Sequence, residues 1–99
     1  MYLITTSALR EKSTYIIGSA TCLKSRLSTY NKSLEHEVVY YSKCGEKEKM
    51  KILEGMVLTK LSEYREVANR DRFVLPEGKD KDFFIDIFKQ GETFLGLKN

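Results

Sequence analysis

The residues able to do chemistry cluster around one glycine. Ile17 and Gly18 close a β-rich run that starts at Thr14, and small or hydroxylated residues follow at Ser19, Ala20 and Thr21. A helical pattern then carries Arg26, eight positions beyond Gly18. A strand that ends at a glycine and turns at once into a helix sets free backbone N–H groups beside a cation. That arrangement binds anions such as phosphate. The surroundings agree in sign: from Lys12 to Leu34 there is no acidic residue, while Lys12, Lys24, Arg26 and Lys32 are all present. A second anomaly is a carboxylate. Met50, Leu53, Val57 and Leu61 recur at helical spacing, and Glu54 falls beside Leu53 on that stripe. An acid on the core-facing side of a helix is costly without a partner, so Glu54 predicts a specific interaction.

Other chemistries are poorly supplied. Cys22 and Cys44 form no C-x-x-C, and the one histidine, His36, sits between Glu35 and Glu37 and reads as a surface residue. Zinc is therefore not expected, and two reduced thiols are the default for an intracellular chain. A net charge of +3 at pH 7 is mildly basic and carries less weight than its uneven distribution. No apolar run approaches the ~18 residues of a membrane span, so no membrane association is expected. An intracellular setting is expected.

These residues need a scaffold, and 99 residues allow one domain. Residues 1–6 and 13–18 are rich in β-branched and aromatic types and read as strands joined by a hairpin loop over 7–12. Thr21 is the candidate N-cap of a helix carrying Leu23, Leu27 and Tyr30, ending near Asn31, Lys32 and Ser33. Residues 37–43 form a third strand, which Gly45 breaks. The longest helical pattern covers 46–64. A polar connection over 67–71 leads to a short β-like piece, 72–75, stopped by Pro76. A last helix is expected over 79–90, with Phe83, Phe84, Ile87 and Phe88 on one side as core. Gly91 serves as its C-cap, and a loosely packed tail follows over 92–99. The expectation is an α+β domain over 1–91. A small, mostly antiparallel sheet of three or four strands is flanked by helices in the order β-β-α-β-α-(β)-α.

Taken together, these residues resemble a GIY-YIG nuclease domain, most closely its compact viral-type, T5orf172-like branch. The first family motif survives as Tyr2-Leu3-Ile4, with Tyr2 at the tyrosine position. The second motif appears as Ile16-Ile17-Gly18, with Ile16 where the family has tyrosine and Tyr15 one position earlier. Arg26 stands at the family's helical arginine, Tyr30 where many members carry histidine, and Glu54 at the metal-binding glutamate. Asn69 is the best match to a late asparagine. The matched stretch covers roughly residues 2 to 75.

The resemblance implies a metal-dependent DNA endonuclease with little sequence preference of its own, structure-specific or a module of a larger protein. One divalent ion, Mg²⁺ or Mn²⁺, would be held by Glu54. Arg26 would neutralise charge on the scissile phosphate, and Tyr2 would take the proton of the attacking water. Tyr15 and Tyr30 would assist by hydrogen bonding. Lys12, Gly18, Lys24, Lys32 and Asn69 would contact DNA. If the chain is viral, the host cytoplasm or nucleus is its place. The alternative is a catalytically inactive nucleic-acid-binding module that keeps the fold without the second-motif tyrosine.

Overall fold

The computed structural model describes residues 1–32 and 34–97. Ser33, at the expected end of the helix after Gly18, and Lys98 and Asn99, at the end of the expected tail, lie outside the described residues. The elements run β1 (Tyr2–Thr5), α1 (Ser7–Glu11), β2 (Thr14–Gly18), α2 (Leu23–Tyr30), β3 (Glu37–Tyr41), α3 (Lys47–Lys60), β4 (Arg72–Val74) and α4 (Lys81–Leu95), with a 3-10 turn at Ser62–Tyr64. The four strands form one antiparallel sheet in the order β3-β1-β2-β4. This is the expected α+β architecture.

The pleat sorts the core. Alternate side chains of a strand face opposite sides of its sheet. Tyr2 and Ile4 therefore share a face, and they pair with Gly18 and Ile16 across β1 and β2. That face is covered by Leu9 of α1 and by Leu23, Leu27 and Tyr30 of α2. Leu3, Tyr15, Ile17 and Phe73 line the other face, beneath Leu53, Val57 and Leu61 of α3 and Phe84 and Phe88 of α4. The sheet is sandwiched, with the larger apolar layer under α3 and α4.

Two local expectations are corrected. The hairpin loop over 7–12 is a helix. Thr6 has extended backbone, and its hydroxyl accepts from the Leu9 N–H at 3.1 Å, which caps a run of good helix formers. Ser13, at φ 55°, then reverses the chain into β2. The last helix does not stop at Gly91. It runs on to Leu95, and the left-handed C-cap is Gly96 at φ 71°. Gly91 sits inside the helix because α4 crosses α3 closely there: a Cβ at Gly91 would lie 2.5 Å from Leu53 Cδ1. The next residue, Glu92, belongs to the packed structure. It is buried, and its carboxylate accepts from Tyr40 Oη at 2.7 and 2.9 Å and from Ser42 Oγ. Those bonds tie α4 to the end of β3. Burial first, and the Glu92 bond second, push the Tyr40 phenol up to about 12.

Candidate functional site

The end of the sheet where Tyr2 pairs with both Gly18 and Tyr41 collects the site. Tyr2 is buried, and its ring lies over Gly18: a Cβ built there would sit 2.4 Å from Tyr2 Oη and 2.7 Å from its Cζ. The missing side chain at Gly18 is therefore the space the phenol fills. Gly18 has an ordinary φ, so the close approach is what calls for glycine there.

From α2, Tyr30 reaches the same phenol. The two hydroxyls are 3.3 Å apart and the rings meet edge to face, with centroids 6.3 Å apart. Tyr30 also donates to Asp71 Oδ2 at 3.4 Å. Burial first, then the bond to Tyr2 and the neighbouring negative charge, hold the Tyr30 phenol well above its usual range. The charge of Arg26 opposes that shift, so the guanidinium bears on the same phenol. Arg26 lies one turn before Tyr30 on α2, on the same helix face. It is exposed, and among the described residues its guanidinium makes no hydrogen bond or ion pair.

Glu54 enters from the opposite layer. It is partly buried on α3, and its Oε2 accepts from Ser19 Oγ at 2.5 Å. Ser19 follows Gly18 directly. The carboxylate and the Tyr2 phenol therefore engage adjacent residues of one strand end, one from each layer of the sandwich. Beside them is a cleft of about 270 Å³ bounded by Ala20 and Thr21, by Tyr41 and Ser42, and by Lys47 and Met50. Met50, which lines it, lies one turn before Glu54 on α3.

Tyr15 does not join this group, which corrects its expected place. It faces the α3 and α4 layer, where its ring packs edge to face on Phe84 at 5.8 Å. The reason is strand parity: Tyr15 and Ile16 must point to opposite faces, and Ile16 is the one on the Tyr2 side. Asn69 also stays apart. It is exposed in the turn before β4, where its side chain donates to Glu66 Oε1 at 3.4 Å and its carbonyl accepts from the Arg72 N–H. Lys12, Lys24 and Lys32 are exposed, the last two on α2 and just after it. Sequence reasoning missed Ser19 and Asp71. A hydroxyl at a strand exit was the available signal for the first; the second, 41 residues from Tyr30, had none.

Among the described residues no three His, Cys, Asp or Glu side chains form a cluster. Glu54 is instead a single carboxylate with one oxygen steadied by Ser19 and, among the described residues, no partner for Oε1. Ions such as Mg²⁺ are commonly held by one or two carboxylates plus waters and substrate phosphate, so the residues fit such an ion. No helix among the described residues is long and apolar enough to cross a membrane. In comparison with known proteins, the model of the T5orf172 domain family matches residues 1–94. No curated protein and no solved structure gives a match.

Proposed function

The chain belongs to the T5orf172 domain family, and from that premise we propose that it is a metal-dependent DNA endonuclease domain of the GIY-YIG type. The observation that carries this reading is the meeting of Tyr2 and Glu54 at neighbouring residues, Gly18 and Ser19, with Tyr30 against the Tyr2 phenol and the charge of Arg26 bearing on Tyr30. Cutting a phosphodiester needs an acceptor for the water's proton, a positive field for the growing phosphoryl charge, and help for the leaving oxygen.

In this reading Tyr2 Oη, held by Tyr30 in one place, relays the proton of the attacking water, taking it as its own hydroxyl proton leaves. Arg26, exposed and with no hydrogen bond or ion pair among the described residues, offers its guanidinium fork to the scissile phosphate. Glu54 would hold the Mg²⁺ or Mn²⁺, and Ser19 would keep its carboxylate turned toward the strand end. When bound, such an ion polarises a phosphoryl oxygen and acidifies water. Lys24 and Lys32 extend the positive surface along α2 and would bind DNA backbone without reading sequence.

One observation favours a second reading. Ile16 is apolar at the only β2 position that shares the Tyr2 face near its middle, so β2 supplies no second phenol. A non-catalytic DNA-binding module would tolerate that loss. In the enzyme reading Tyr30 supplies the second hydroxyl from α2 instead. Incubation of the purified chain with branched and linear DNA in Mg²⁺ or Mn²⁺ separates the two. Cleavage that Glu54→Ala abolishes supports the enzyme. Salt-sensitive binding unchanged by Glu54→Ala, with no cleavage in either metal, establishes the binding module instead.

A further inference from the structure

We propose that Asp71 sets the direction of a hydrogen-bond chain running through Tyr30 to Tyr2, and that it is the outlet for the proton Tyr2 takes up. The inference rests on the nuclease reading of Tyr2 and adds a positioning residue to it. Tyr2 Oη and Tyr30 Oη are 3.3 Å apart, and Tyr30 Oη donates to Asp71 Oδ2 at 3.4 Å. Both contacts are long, as such bonds often are before substrate tightens a site.

The direction follows from counting protons. An ionised carboxylate only accepts, so the hydrogen in the second contact is the one on Tyr30. A phenol has one such hydrogen. With that proton committed to Asp71, the bond between the tyrosines must be donated by Tyr2. The lone pairs of Tyr2 Oη are then left facing away from Tyr30, free to accept. Among the described residues Tyr2 Oη has no hydrogen-bond partner but Tyr30.

The two ends of the chain differ in wetness. Tyr2 is 3% exposed. Asp71 is exposed and opens on a groove of about 420 Å³ that also meets Ile16, Thr29, Tyr30, His36 and Arg72. Its backbone is fixed, because its carbonyl accepts from the Ile17 N–H at 2.9 Å. The exposed end is therefore the one from which a proton carried along the chain reaches bulk solvent.

The O–H bond of the attacking water breaks, its electron pair stays on the oxygen that attacks phosphorus, and the proton bonds to Tyr2 Oη. The original Tyr2 proton moves to Tyr30 Oη, and the Tyr30 proton moves to Asp71 Oδ2. The carboxyl then releases it to solvent. Both phenols end neutral, so no lasting phenolate is required of groups whose ordinary pKa is about 10. The upward shift of the Tyr30 phenol suits a group that passes a proton on and stays neutral.

The test is Asp71→Asn, which keeps an oxygen acceptor for Tyr30 but cannot take a proton. Charged and titratable groups around Asp71 are Tyr30 from α2, His36 before β3 (its ring 5.1 Å from that of Tyr30) and Arg72 in β4, while the charge of Arg26 bears on Tyr30. With Mn²⁺ and a cleavable DNA, kcat should fall about 10²-fold, within the usual reach of general acid–base groups, with KM unchanged. Tyr30→Phe should lose as much, and the double variant no more. Wild-type kcat in Asp71→Asn, or additive losses in the double variant, overturns the proposal.

A second readout does not need cleavage. In protein carrying ¹³C-labelled tyrosine, Asp71→Asn should lower the Tyr30 phenol pKa and shift the Tyr2 ring signal. If neither moves, the chain is not directed by Asp71. If wild type cuts no DNA while both move, the nuclease reading fails and the directed chain stands.

Discussion

Gly18→Ala is the most informative small change available. The added Cβ would lie 2.4 Å from Tyr2 Oη, 2.7 Å from Cζ and 3.1 Å from Cε1. Ordinary contact begins at 3.4 Å, so the hydroxyl must retreat by about 1 Å (3.4 minus 2.4). Tyr2 cannot absorb that by swinging into water, because it is 3% exposed and its ring is held by Tyr30. Overpacking of this kind costs about 1–3 kcal/mol. The reduced freedom of the unfolded chain returns roughly 0.4–1 kcal/mol, since the backbone at Gly18 suits alanine. The net loss of about 1–2 kcal/mol corresponds to roughly 5–15 °C in Tm for a domain of this size. A 1 Å displacement of a reacting group also costs on the order of 10²-fold in rate. Thermal unfolding and single-turnover cleavage measure the two effects separately. Adding Tyr2→Phe removes the closest atom, so it should restore part of the Tm and none of the activity. A Gly18→Ala protein that melts at or above wild type, with unmoved Tyr2 ring signals, would refute the claim that this glycine exists to admit the phenol.

Three further outcomes are expected. Glu92→Ala strands the Tyr40 and Ser42 hydroxyls in a buried site and should cost about 2–4 kcal/mol in urea unfolding. Gly91→Ala should destabilise rather than stabilise despite better helix propensity, because the new methyl meets fully buried Leu53; a raised urea midpoint would contradict the close α3–α4 crossing. Stability should fall in alkali. Tyr40 holds its proton to about 12 when folded and loses it near 10 when unfolded, so its contribution is complete below pH 10 and is lost as pH rises through 12. Tyr30 adds to the same slope. Tyr40→Phe should flatten that decline in chemical-denaturation curves taken across the range.

Much of the scaffold was legible because its signals were local. The strands around Gly18 and at 37–41 and the amphipathic stripe of α3 follow from pattern alone. Glu54 stood out because an acid on an apolar stripe demands a partner; that the partner is Ser19, 35 residues away, is a fact of the fold. Tyr15 is the instructive case. Resemblance placed it beside Tyr2, yet the two-residue period of a strand puts it on the other face from Ile16. Gly91 was misread because glycine has two uses in a helix, ending it or letting a neighbour in. Only the position of Leu53 shows which applies. Glu92 was lost with it, since a helix that ends at 90 leaves no reason to bury residue 92. The short helix α1 was missed for lack of length, though Thr6 and the helix formers after it were visible.

The most direct measurement is the single-turnover rate of DNA cleavage by the full chain in Mn²⁺, compared with Glu54→Gln, Arg26→Ala and Tyr2→Phe. Each substitution removes a group assigned to the reacting phosphate, the ion or the proton. Each should lower the rate by about 10²-fold or more while circular dichroism and Tm stay near wild type. Equal cleavage by wild type and Glu54→Gln, with both folded, would contradict the assignment of this sheet end as a phosphodiesterase site.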